Sequence, residues 1–205
     1  MSFEVIDNIF QVLMLLTAAG LSAFSALKNG SRRYVLLAGG YGCFAMGTFY
    51  YVLYLVIRGN VPQVFYVAEV AWMSAYLFLL ALELMRIGER VPFSLPSAAV
   101  CVAVIAVELC FDIPGYSWLM GICFGAETGM LSYLAVWRIV SHRKREHVWM
   151  DIQLLLIVFL QIAVYAVSVF TSDYTRFNAY FAVDIMLTLS WVCLYFLMRR
   201  EAGSR

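Results

Sequence analysis

Residues 65–77, Phe65-Tyr66-Val67-Ala68-Glu69-Val70-Ala71-Trp72-Met73-Ser74-Ala75-Tyr76-Leu77, set one acid inside an apolar run long enough to cross a bilayer. A helix over this run rises about 1.5 Å per residue, which puts Glu69 roughly 8 Å below its start. Glu69, Trp72, Tyr76 and Glu83 recur at helical spacing and share one face. An acid in hydrocarbon costs roughly 2.5 to 3.5 kcal/mol even on the mildest scale, so it is expected to point into a cavity or at a partner. This face is therefore the expected functional one.

The rest of the chain has the same character. Of 205 residues, 64% are hydrophobic and 13% charged, and the mean hydropathy is +0.85. Soluble domains carry about half apolar and a quarter charged residues, so a soluble core is excluded and a membrane protein implied. Met1-Ser2-Phe3-Glu4-Val5-Ile6-Asp7 is acidic where a signal peptide is basic, and no small-residue cleavage site follows, so the first apolar segment is expected to be retained. A net charge of +1 gives no reason to expect a nucleic-acid partner. Cys43, Cys101, Cys110, Cys123 and Cys193 all fall within apolar segments without metal-ligand spacing, and read as small apolar fillers. His142 and His147 share one basic loop with no cysteine nearby, so no metal and no cofactor is expected.

Seven apolar segments are separable, at about 5–27, 34–57, 64–85, 95–111, 116–140, 148–170 and 177–198. Each is near the roughly 17 to 25 residues that a spanning helix needs. The reading is an all-α, single-domain, seven-helix membrane protein. Small residues recur at close-packing intervals: Ala18, Ser22 and Ala26 in the first segment, Gly39, Cys43 and Gly47 in the second, and Gly121, Gly125 and Gly129 in the fifth. Glu83 and Arg86, three residues apart near the end of the third, read as an interfacial, snorkelling ion pair.

Lys28, Arg32, Arg33, Arg86, Arg90, Arg138, Arg143, Lys144, Arg145, Arg199, Arg200 and Arg205 lie on one side of the alternating segments, and only Arg58 and Arg176 on the other. Short loops rich in Lys and Arg stay in the cytoplasm, which predicts an outside N-terminus and a cytoplasmic C-terminus. The first three and last three segments then run in the same directions, which permits a parallel three-plus-one-plus-three repeat. Phe65-Tyr66-Val67-Ala68-Glu69-Val70 matches Tyr180-Phe181-Ala182-Val183-Asp184-Ile185 in pattern, making Glu69 and Asp184 pseudo-equivalent.

Glu69, Glu108, Glu127 and Asp184 all fall between the outer leaflet and the midplane, with Gln161 at similar depth and Trp72, Tyr76 and Tyr165 beside them. Acids among aromatic faces suit an organic cation, through Coulomb attraction and cation–π contact, or a proton. The competing reading is that a neutral acid bonded to Gln161 or a tyrosine staples two helices. Motifs of intramembrane catalysis are absent: no His-x-x-x-His pair within a span, no Gly-x-Ser-x-Gly and no phosphate-cradling glycine loop.

The layout resembles that of microbial rhodopsins. Asp184 on the last segment looks like that family's counter-ion, Tyr165 like the tyrosine bonded to it, and Trp72 like a retinal-packing tryptophan. The resemblance would place the retinal-bearing lysine at position 188, which is Thr188, and no span contains a lysine, so Schiff-base retinal is excluded. The third segment also looks like that of small, uncharacterised seven-span bacterial membrane proteins. The parallel repeat resembles sugar-transporting three-plus-one-plus-three proteins, although Pro62-Gln63 lies in a turn outside the bilayer, unlike that family's Pro-Gln motif.

These readings converge on a receptor or sensor in a bacterial plasma membrane, with a pocket open to the outside. Glu69, Glu127, Gln161 and Asp184 would be its polar groups, and Trp72, Tyr76 and Tyr165 its walls. Arg143, Lys144 and Arg145 would meet a cytoplasmic partner protein or anionic lipid. A proton- or cation-coupled transporter is the alternative, and a structural subunit docking another membrane protein is a third.

Overall fold

The computed structural model describes residues 2–59, 66–88, 90–112, 118–141 and 145–203, without the side chains of Tyr66, Asp112, Trp118, Arg145, Glu146 and His147. The Pro62-Gln63 turn and the Arg143-Lys144 pair lie outside the described residues, as does the Arg145 side chain. The described residues form seven helices: α1 Phe3–Asn29, α2 Arg32–Arg58, α3 Tyr66–Ile87, α4 Leu95–Asp112, α5 Trp118–Ser141, α6 Arg145–Phe170 and α7 Ala179–Gly203. Six are long and apolar enough to cross a membrane. In α4 the apolar stretch is Leu95–Phe111, 17 residues or fewer, which reaches only about 26 Å against a hydrocarbon core of about 30 Å.

Most helices outrun the apolar segments by a few residues, because polar ends keep helical geometry in the interface. Where a turn must follow, the sequence supplies glycine: Gly30 closes α1 at φ 62° and Gly59 closes α2 at φ 69°. Both are left-handed conformations that a side chain disfavours. The start of α1 has no side-chain cap. Its first amides donate instead to the loop before α7, Phe3 N to Thr175 O at 3.0 Å and Glu4 N to Tyr174 O at 3.3 Å, which satisfies donors the helix leaves over. In that loop Asp173 accepts from the Thr175 hydroxyl at 2.6 Å and amide at 2.8 Å. These two bonds hold its carboxyl below the usual range.

Helix neighbours follow the order α1, α2, α3, α5, α6, α7 and back to α1, a closed ring of six, with α4 outside on α5 and touching α6. Large apolar side chains such as Leu27, Phe24, Phe159 and Phe170 point outward and are exposed, as lipid-facing residues must be. The interior is aromatic. Trp191 of α7 is fully buried, with ring centroids 5.1 Å from Phe44, 5.3 Å from Tyr76 and 6.2 Å from Tyr41. Tyr41 donates to the Trp191 carbonyl at 2.8 Å and accepts from the Tyr195 amide at 3.1 Å, which ties α2 to α7 across the middle.

The small-residue faces are filled by this chain's own helices. On α5, a Cβ at Gly129 would meet Ile105 Cγ1 at 2.6 Å and the Cys101 carbonyl at 3.2 Å, both on α4. Gly129→Leu should therefore lower stability by about 1 to 3 kcal/mol through overpacking. A thermal midpoint in detergent equal to that of the unmodified protein would count against this close contact.

Candidate functional site

Two polar clusters occupy opposite ends of the bundle. The first, toward the start of α1, is built on the face of α1 that carries Asp7, Gln11, Leu15, Ala18 and Ser22, all buried. Gln11 is its hub. Its amide Nε2 donates to Asp184 Oδ1 at 3.3 Å and to Thr188 Oγ1 at 3.0 Å, both on α7. Its Oε1 accepts from the Thr48 hydroxyl of α2 at 2.6 Å, and the Trp72 indole N–H of α3 donates to that same hydroxyl at 3.3 Å. Four helices are thus joined through one glutamine.

Trp72 reaches Thr48 because of its neighbour Gly47. A Cβ there would come within 2.9 Å of the indole and 3.0 Å of the Ala68 carbonyl, so only glycine lets α3 settle this close to α2.

Asp7, one turn before Gln11 on the same buried face of α1, lies within electrostatic reach of Asp184. Asp184 is 8% exposed and Asp7 3%. Two acids side by side in so apolar a setting are costly to keep there, which marks the pair as a candidate site. Tyrosines lie near the pair. Tyr180 lies within electrostatic reach of Asp7, Asp184, Tyr51 and Tyr174, and Tyr51 donates to Glu4 Oε1 at 2.5 Å.

The remaining expected site residues divide. Tyr76 is buried and donates to Gln161 Oε1 at 2.9 Å, linking α3 to α6. Its ring stands edge-on to Phe124 at 4.9 Å, and Phe124 stands edge-on to Tyr165 at 6.0 Å. Asp184, Glu108 and Tyr165 are all in electrostatic reach of the Tyr76 hydroxyl. Trp72, Tyr76, Gln161, Tyr165 and Asp184 are therefore gathered into one interior region. Glu108 of α4 is fully buried, its Cβ 3.4 Å from the position a Gly125 Cβ would take. Glu69 is half-buried in the first turn of α3. Glu127 is also half-buried, and among the described residues no hydrogen bond joins it to the others. The space between Tyr76, Phe124 and Trp191 is closed by ring contacts.

Asp7, Gln11, Thr48 and Thr188 were not among the residues expected from sequence. An acid one turn into a span looks interfacial, which hid Asp7. The signal was the Ala18, Ser22 and Ala26 stripe, which reaches Leu15, Gln11 and Asp7 when followed upstream at the same helical spacing.

At the opposite end, Glu83 and Arg86 differ from the interfacial pair expected of them. Their side chains are 0% and 1% exposed, at the centre of a five-residue charge cluster. Arg86 bonds Glu83, Asp151 at 2.9 Å and Glu201 at 3.1 Å, and Arg138 bonds Glu83 at 3.2 Å and lies 3.6 Å from Asp151. The physical reason is depth matching. The ends of α3, α5 and α7 and the start of α6 meet at one end of the bundle, so charges near those four termini converge.

A ring of apolar helices with polar groups turned to its centre defines a multi-pass helical membrane protein. Comparison with family models, curated proteins and solved structures finds no match to this chain.

Proposed function

We propose that this chain is a proton-responsive receptor of a bacterial plasma membrane, with the Asp7–Asp184 pair as its proton site. The observation that carries the reading is that two buried acids, Asp7 of α1 and Asp184 of α7, stand on packed helices beside the Gln11 hub. A proton needs no cavity, whereas an organic cation would need space where Tyr76, Phe124 and Trp191 are in ring contact. The tyrosines near the pair, Tyr180 and the Glu4-bonded Tyr51, give protons a way in, from the side that the basic-residue distribution makes the exterior. Titration of the pair would act on α1 and α7 directly, and through Gln11 and Thr48 on α2 and α3.

In this reading α4 is a seventh, short span. Its place outside the ring suits a linker between two three-helix units, α1–α3 and α5–α7. Glu69 and Glu127, half-buried, would be secondary acids in the same half. The basic loop at 143–145 would meet a partner protein or anionic lipid.

A proton-coupled carrier is the second reading. It is favoured by a cavity of about 310 Å³ at the end opposite the aspartate pair, since a carrier in one facing state is closed at one end and open at the other. Proteoliposomes under an imposed pH step separate the two. A receptor changes its tryptophan fluorescence with no net proton movement, whereas a carrier also alkalinises or acidifies the lumen when its solute is present. A fluorescence signal indifferent to pH between 5 and 9, a window of roughly two units on either side of neutrality, would overturn both.

A further inference from the structure

Glu127 lies about 14 Å along α5 at a rise of about 1.5 Å per residue, close to the middle of the bilayer. The faces of α5 are set by what covers them. Gly125 and Gly129 lie against Glu108, Ile105 and Cys101 of α4. Phe124 meets Tyr76 and Tyr165, and Arg138 bonds Glu83, so this face looks into the ring. Leu119, Ile122, Ala126 and Met130 are exposed and turned to lipid. At about 100° per residue, Glu127 falls between that lipid-facing stripe and the buried stripe of Leu131, Leu134 and Arg138. It is half-buried, as a position on that edge must be. Because α4 covers the glycine face and also touches α6, α6 stands on the glycine side of α5 and α3 on the Glu127 side. On α3, Met73 and Leu80 are half-buried and Leu77 is exposed. The seam between α3 and α5 is thus an apolar groove open to lipid, with one carboxyl at its edge.

That carboxyl has no complement in its own chain. Among the described residues Glu127 makes no hydrogen bond, and its Oε2 is buried without a partner. No span holds a lysine. The arginines that reach the bundle interior, Arg86 and Arg138, are taken up at the far end by Glu83, Asp151 and Glu201. An acid at mid-bilayer is costly, and such groups are held in place by pairing with an opposite charge or a donor. Here the pairing group has to come from outside the chain.

We propose that the α3–α5 seam docks a transmembrane helix of a partner protein that carries a lysine or arginine at mid-depth. Charge complementarity selects this occupant: a lipid chain fills the groove but leaves the carboxyl unanswered, whereas a basic helix does both. Its apolar side chains lie against Leu77, Ile122 and Met130, in the manner of a helix laid in a hydrophobic groove, and its cation meets Glu127. The surface is independent of the proton reading, because Glu127 is not part of the Gln11 network.

The labelled full chain in phosphatidylcholine vesicles is mixed with a labelled synthetic transmembrane peptide of leucine and alanine that carries one central lysine, or leucine in its place. Energy transfer reads association. The lysine peptide should bind about fivefold or more tightly than the leucine peptide. Glu127→Leu should erase that preference, while Phe159→Leu, exposed on α6, should change it less than about twofold. If Glu127→Leu loses the fold, Glu127→Gln takes its place and should cut the preference about threefold or more, since it keeps the shape and removes the charge. Equal binding of the two peptides, or a preference that survives the Glu127 variants, overturns the docking surface. Energy transfer between two copies of the full chain that Glu127→Leu abolishes gives the seam to a second copy and overturns the basic partner.

Discussion

Arg86→Leu should cost about 3 to 5 kcal/mol of stability and leave little folded protein in detergent, because it strips the hub from a buried charge cluster. The guanidinium serves Glu83, Asp151 and Glu201, which come from α3, α6 and α7. Without it, Arg138 alone faces Glu83 at 3.2 Å and Asp151 at 3.6 Å, two acids whose side chains are 0% and 2% exposed. Two buried acids against one arginine leave uncompensated charge, and that penalty exceeds the worth of any one ion pair. Glu201→Gln is the contrast. It keeps an acceptor for Arg86, so about 1 kcal/mol or less is expected from that contact. Size-exclusion profiles and thermal midpoints of the two variants check the ranking. Equal midpoints for both would mean that the cluster is not what holds this end of the bundle.

Replacing both Asp7 and Asp184 by asparagine should abolish the proton response and leave the fold in place. An amide can donate and accept where a carboxyl stood, so the Gln11 hub keeps its partners. What it cannot do is exchange a proton. The readout is already in the network, since the Trp72 indole donates to Thr48, which donates to Gln11, which reaches Asp184. Fluorescence against pH should follow a sigmoid in the unmodified protein and run flat in the double variant. Infrared difference spectra between acid and alkaline pH should show a carboxyl band in the unmodified protein that the double variant lacks. Asp184→Leu, by contrast, should destabilise by about 1 to 3 kcal/mol, because it removes a buried partner of Gln11. A double amide variant that fails to fold, or one that keeps the full pH response, would make the pair a structural staple.

How far the site was legible depended on whether its residues could be judged one helix at a time. Trp72, Tyr76, Gln161, Tyr165 and Asp184 stand out as polar or aromatic groups deep in apolar segments, and depth is a property of position along a single helix. Glu83 was legible as a charge and misread as to its surroundings, and Asp7 was not singled out, because both lie close enough to a helix end to reach water if rotated outward. Their rotation is set by neighbours: Gly47 lets α3 close on α2, and the Ala18 and Ser22 stripe turns Asp7 and Gln11 inward on α1. The glycine ladder was readable as a contact face. That α4 fills it, rather than another protein, was not.

The sequence alone determined the number of helices, their approximate limits and the apolar character that suits them to a bilayer. These follow from hydrophobicity summed over consecutive residues and from glycines that end helices locally. Only the tertiary structure decided which charges meet: Asp7 with Asp184 across 177 positions of chain, and Arg86 with Asp151 and Glu201 at the other end. Partner choice depends on how each helix is rotated about its axis and which helix it stands beside. Those quantities are fixed by side-chain packing between helices far apart in sequence, and no single segment contains them.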